Sequence, residues 1–296
     1  MQIDRLIEAI RLHKNPTALG LDTRIEYIPE SFARPHMESG GAASAVCAFN
    51  RELLRALRDI IPCVKIQIAY YELMGNDGMI CLKNTIDEAR RLGYVLIIDA
   101  KRGDIGATAE AYSSAYLGES APYAADFLTV NPYFGSDGVT PFISDCERTG
   151  RGIFALVKTS NKSGGEFQDI ETSDGSKVYE RVAMRVSEWG KSTIGTWGYS
   201  SVGAVVGATY PEQGAELREK MPHTFFLLPG YGAQGASASH LAGCFDASGS
   251  GAVVAASRSL ICAHKKTGTD DFVSASRSEA IRMKTEISEV LSGHIR

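Results

Sequence analysis

No stretch of this chain approaches the roughly 20 consecutive apolar residues that a membrane-crossing helix needs. Excess charge of one sign is missing as well. Lys and Arg number 31 against 35 Asp and Glu, which leaves no bulk electrostatic case for nucleic acid or anionic lipid. Any anionic ligand must therefore be held by a local site. Paired cysteines are absent too: Cys47, Cys63, Cys81, Cys146, Cys244 and Cys262 are scattered, with no CxxC. They read as reduced thiols rather than a disulfide framework. No His or Cys falls at a paired ligand spacing, so a structural zinc site has no support. The opening Met1-Gln2-Ile3-Asp4-Arg5-Leu6 has neither the basic start nor the apolar run of a secretory signal, and a cytoplasmic location is expected. Internal repeats, low-complexity tracts and a linker between domains are likewise missing, so residues 1–296 are expected to form one domain.

What is present is an alternation kept from end to end. Short β-branched runs lie at 17–22, 63–69, 94–100, 126–131, 152–158, 201–207, 224–229 and 251–257. Runs such as Val95-Leu96-Ile97-Ile98 and Phe225-Phe226-Leu227-Leu228 are apolar on both faces, as parallel strands covered by helices must be. Helical patterns fill the gaps at 42–60, 86–92, 107–117, 139–148, 178–189 and 211–221, with a last one at 272–291. In the first, Val46, Phe49, Leu53 and Leu57 recur at three- and four-residue intervals. Eight strands with intervening helices predict an α/β fold, a (β/α)₈ TIM barrel. A doubly wound open sheet would begin with a glycine-rich dinucleotide fingerprint, and Gly20-Leu21-Asp22-Thr23-Arg24 is not one. Residues 26–41 and 161–176 are expected as long loops at the C-terminal mouth of the barrel, where binding loops belong.

The chemistry concentrates at strand ends. The third strand runs into Asp99-Ala100-Lys101-Arg102-Gly103-Asp104-Ile105, and alternation along a strand sends Asp99 and Lys101 the same way. Taken alone, an Asp-x-Lys reads equally well as a structural ion pair. Its neighbours favour a site, because Lys65 lies inside an otherwise apolar second strand and Asp22 ends the first. Late in the chain, Pro229-Gly230-Tyr231-Gly232-Ala233-Gln234-Gly235 offers backbone N–H groups to an anion. Ser257-Arg258 then offers a guanidinium suited to phosphate. The loops after strands seven and eight are the usual phosphate site of such barrels. Trp189 and Trp197 read as packing, and no histidine falls at a strand end with a partner.

The Asp-Ala-Lys-Arg-Gly-Asp-Ile segment, the lysine in the preceding strand and the late Gly-Ala-Gln-Gly turn resemble the orotidine 5′-phosphate decarboxylases. The length and Lys158-Thr159-Ser160-Asn161 resemble their longer bacterial-type subfamily. The resemblance covers essentially the whole chain and implies decarboxylation of orotidine 5′-phosphate to UMP, without metal or organic cofactor. It implies an alternating charged tetrad of Lys65, Asp99, Lys101 and Asp104, with Lys101 as proton donor. Asp22 would hold the ribose, Ser160 the pyrimidine, and Gln234 and Arg258 the phosphate. A homodimer is implied, with Asp104 and Thr108 reaching into the partner's site. Lys162 stands where the family has proline, and Ala236 where it has glycine.

Three other readings compete with this one. A Mg²⁺-dependent sugar-phosphate barrel enzyme of the same superfamily shares the Asp-x-Lys-x-x-Asp pattern, but the long loops and Arg102-Gly103 count against it. A non-catalytic phosphate-binding barrel has no need of two inward lysines. A Schiff-base aldolase needs a neutral lysine, whereas adjacent carboxylates favour the charged form.

Overall fold

The computed structural model describes residues 1–232 and 235–294. Eight parallel strands close on themselves in sequence order: β1 (Thr17–Leu21), β2 (Cys63–Gln67), β3 (Val95–Arg102), β4 (Phe127–Val130), β5 (Gly152–Lys158), β6 (Ser200–Val206), β7 (Thr224–Pro229) and β8 (Ala252–Ala256). The eight expected strands are all present, two with the expected bounds and the others with ends displaced by one or two residues. Helices follow the strands and wrap the barrel, and the expected (β/α)₈ architecture holds.

Two apolar layers result from the strand alternation. Residues such as Leu19, Val64, Leu96, Leu128 and Val254 face outward and are buried under the helices. Their alternates, among them Cys63, Ile97, Phe127, Phe154, Phe225 and Val253, fill the barrel itself. The large rings fit because glycines stand opposite them. A Cβ on Gly152 would lie 2.5 Å from the Phe127 ring, and one on Gly203 would lie 2.5 Å from that of Phe154.

The helix Gln2–His13 has no counterpart in the sequence reading. It closes the N-terminal end of the barrel, and its Ile3, Leu6 and Ile7 join the interior cluster. Arg5 on its outer face pairs with Asp126 at 3.1 Å, ahead of β4, and donates to the carbonyls of Gly93 and Tyr94.

Two expectations need correction. Residues 26–41 are not a loop, because most of them form the first half of the helix Glu30–Leu57. Pro35 and the Gly40-Gly41 pair are residues that ordinarily interrupt a helix. Pro35 instead lies in the second turn, and the helix breaks only at Gly40 and Gly41, the latter at φ 67. Aromatic packing recruits the first half: Phe32 meets Phe272 at 5.0 Å and Phe49 at 6.3 Å, which also ties it to the helix Phe272–His294.

The second helix runs over Gly75–Arg91 rather than starting near residue 86. Gly75-Asn76-Asp77-Gly78 resembles a turn, yet Gly78 is there for closeness. A Cβ on it would lie 2.0 Å from the carbonyl oxygen of Tyr71.

Candidate active site

A cavity of about 580 Å³ opens at the C-terminal ends of the strands. Asp22, Lys65, Asp99, Lys101, Ser160 and Arg258 all line it, delivered by β1, β2, β3, β5 and β8. Register explains the convergence on one side: Lys65 is level with Gly20 on β1 and Ile97 on β3, and Gln67 is level with Asp99. Lys65, Asp99 and the side chain two residues beyond Gly20 therefore stack toward the mouth above the apolar interior.

Charges alternate through space. Lys65 Nζ lies 3.1 Å from Asp22 Oδ1 and 3.0 Å from Asp99 Oδ2, and Lys101 Nζ lies 2.6 Å from Asp99 Oδ1. The Lys65 side chain is 6% exposed and that of Lys101 46%. Of the two ammoniums, Lys101 is thus the more open to the cavity. Burial works to raise the pKa of Asp99, but Lys65 and Lys101 outweigh it and hold the carboxyl well below the usual range. Burial works to lower that of Lys65, and there Asp22 and Asp99 prevail, so the ammonium is held above its ordinary value. Both groups are charged at neutral pH.

Two residues that the sequence reading passed over complete the arrangement. Gln67 Nε2 donates to Asp99 Oδ2 at 3.1 Å, and the Thr129 hydroxyl donates to Asp99 Oδ1 at 3.0 Å. Each is two positions along its strand from an inward residue, Lys65 and Phe127, so alternation was the signal that could have found them.

Lys101 does not reach the cavity by simple alternation. Its φ is 48, a left-handed conformation that residues other than glycine disfavour, which costs of order 1–3 kcal/mol and persists only where the surroundings enforce it.

The first half of the expected phosphate site is partly described. Gly230, Tyr231, Ser257 and Arg258 line the cavity, and Gln234 lies outside the described residues. Several N–H groups expected to face an anion are engaged within the turn. Gly232 donates to Ala236, Gly235 to Gly232, and Ala236 to Gly230. Tyr231 anchors the turn through a 2.8 Å bond from its hydroxyl to Glu286 on the last helix. Ala236 is buried in the core, so the extra methyl is accommodated by packing.

On the opposite wall, Ser160 and Asn161 begin a segment clamped from below. Gln168 accepts from the Thr159 N–H at 3.0 Å and donates to the Thr159 hydroxyl at 2.7 Å. The buried Lys158 bonds Asp169 at 2.5 Å, its ammonium lying 4.8 Å from the ring centre of Tyr210. Lys162 is exposed in the short 3₁₀ turn Lys162–Gly164, at a first position where proline's missing N–H would cost nothing and lysine is tolerated equally.

Asp104 and Thr108 stand apart. Neither lines the cavity. Asp104 accepts from the N–H of Ile105 at 2.8 Å, and Thr108 is exposed on the helix Gly106–Leu117. No described histidine lines the cavity. Trp189 bonds Ser136 and Trp197 stacks with Arg11, which fits packing roles for both. Among the described residues, no helix is long and apolar enough to cross a membrane.

A charged cavity at the C-terminal face of an eight-stranded parallel barrel is the layout of a (β/α)₈-barrel enzyme. The family model described as Orotidine 5'-phosphate decarboxylase / HUMPS family matches residues 42–267. The chain belongs to that family. It is 44% identical to the orotidine 5'-phosphate decarboxylase of Rhodopirellula baltica over 288 residues, covering 94% of each chain. It is 40% identical to that of Clostridium acetobutylicum over 293 residues, covering 98% of this chain and 100% of the other. Among solved structures, the OMP decarboxylase of Leishmania donovani superposes with a TM-score of 0.77 at 28% identity, covering 98% of both.

Proposed function

We propose that this protein is a cytoplasmic carboxy-lyase that converts orotidine 5′-phosphate to UMP and CO₂ in pyrimidine biosynthesis, without metal or organic cofactor. The observation that carries the reading is the Asp22–Lys65–Asp99–Lys101 array, with Lys65 and Asp99 buried and the Lys101 ammonium open to the cavity.

In this reaction the C6–carboxylate bond breaks, its electron pair stays on C6, and CO₂ departs. Lys101 Nζ then gives a proton to C6 and regains one from solvent. An ammonium about 4 Å from the developing charge is worth about 4 kcal/mol at an effective dielectric near 20. Because Asp99 is anchored by four donors and Lys101 by Asp99, that charge is in place before the bond breaks. Lys65 holds Asp99, and Asp22 faces the ribose. Ser160 reads the pyrimidine, while Arg258 and Gln234 take the phosphate. Binding energy from that remote group can be spent on closing the site.

Asp104 and Thr108 are assigned to the neighbouring site of a homodimer. Their position outside the cavity supports this, as do the exposed Ile105, Tyr133 and Phe134 near Asp104. Residues 1–296 are taken as one catalytic domain.

The test is the fall in ultraviolet absorbance of orotidine 5′-phosphate with purified protein in excess EDTA, and again with added Mg²⁺. Conversion to UMP in EDTA is expected. Conversion only with Mg²⁺, or none in either, would overturn the reading. Lys101→Ala is expected to abolish turnover while UMP still binds, as read by calorimetry. Substantial residual turnover would remove Lys101 as the proton donor.

A further inference from the structure

Lys101 occupies a backbone conformation that lysine disfavours, and the hydroxyl that holds it there comes from the next strand. The ladder between β3 and β4 is interrupted at this point. Ile98 is level with Leu128, and the next registered pair is Arg102 with Val130. Asp99, Ala100 and Lys101 on β3 therefore face Thr129 alone on β4.

The Thr129 side chain takes over the missing ladder bonds. Its Oγ1 accepts from the N–H of Ala100 at 3.0 Å and of Lys101 at 2.8 Å, and donates to Asp99 Oδ1 at 3.0 Å. A hydroxyl has one proton and two lone pairs, so its capacity is full. Thr129 is on the cavity wall and 1% exposed, yet it can bond a ligand only by giving up one of these three contacts. Its part in the reaction must be played through its neighbours.

We propose that Thr129 is a positioning residue for the decarboxylation. Its hydroxyl fixes the irregular turn of β3 that brings Lys101 Nζ back onto Asp99 and aims it at the reacting carbon. The proposal rests on the decarboxylase reading above. Thr129→Val keeps the shape and removes the hydroxyl, leaving two N–H groups without an acceptor, so that residues 100 and 101 relax toward extended backbone.

The experiment compares wild type, Thr129→Val, Thr129→Ser and Thr129→Cys for kcat and KM on orotidine 5′-phosphate, with UMP binding and thermal melting alongside. In Thr129→Val kcat is expected to fall about 100-fold, the scale of a misplacement near 1 Å, while KM and UMP affinity change little. Thr129→Ser should restore most of the rate. A folded Thr129→Val with near-normal kcat, or with only KM changed, overturns the proposal. Should Thr129→Val fail to fold, Ser and Cys decide, because the thiol is a weak acceptor of similar size: equal turnover in the two overturns it. Wild type inactive on this substrate would remove the decarboxylase reading itself, an outcome distinct from an active wild type that tolerates valine.

Discussion

Asp99 shows most directly how single residues set the chemistry. Lys65, Gln67, Lys101 and Thr129 all donate to it, which saturates a carboxylate buried to within 8% of full enclosure. Its folded pKa is depressed, so its contribution to stability is complete above the unfolded value near 3.9 and is lost as pH falls through the folded one. Lys65 is the mirror case. Its folded value is raised, so its contribution is complete below about 10.4 and is lost only as pH climbs through the folded value. From about pH 4 to pH 10 neither titrates, and any limb of the rate profile in that window comes from another group. Melting temperatures measured against pH should show Asp99→Asn well below wild type at neutrality, with the gap closing below about pH 4. A constant gap down to strongly acid pH would contradict the depressed carboxyl. At this scale the sequence was legible where a residue type was out of place. A lysine among Val64, Ile66 and Ile68 announces itself, whereas Thr129 beside Val130 is what any strand contains.

At the scale of elements, patterning identified strands better than helices. A strand buried on both faces is a plain apolar run, and all eight were found. Helix ends were obscured by residues whose purpose is packing. Gly78 allows the helix Gly75–Arg91 to approach Tyr71, and Pro35 is carried within a helix held by Phe32 against Phe49 and Phe272. The two effects at Gly78 can be set against each other. Alanine is the better helix former by about 1 kcal/mol, but its Cβ would meet a backbone oxygen, and overpacking of this kind costs about 1–3 kcal/mol. Gly78→Ala is therefore expected to lower the melting temperature, and a rise would show that the two segments can part without loss. The helix Gln2–His13 went unread because its task, filling the end of a barrel, exists only once the barrel is closed.

For the whole molecule, fold and family could be reached from strand ends, whereas the partner-site roles of Asp104 and Thr108 rest on the family resemblance and need two subunits to test. Neither lines the cavity of its own chain, as the proposed shared site requires. Lys101→Ala and Asp104→Ala proteins, each nearly inactive alone, should recover turnover when their subunits are mixed and exchanged. In a hybrid dimer one site receives both native residues. No recovery, with hybrids demonstrated by mass, would sink the shared site.

The floor laid by Ile3, Leu6 and Ile7 has a consequence for traffic. With the base of the barrel sealed and its interior filled by Phe127, Phe154 and Phe225, the cavity opens, among the described residues, at the C-terminal mouth. In the proposed reaction the nucleotide enters by that mouth, and UMP and CO₂ leave by it. The two departures then share a route, and whatever slows the nucleotide's departure also governs when the cavity is next free.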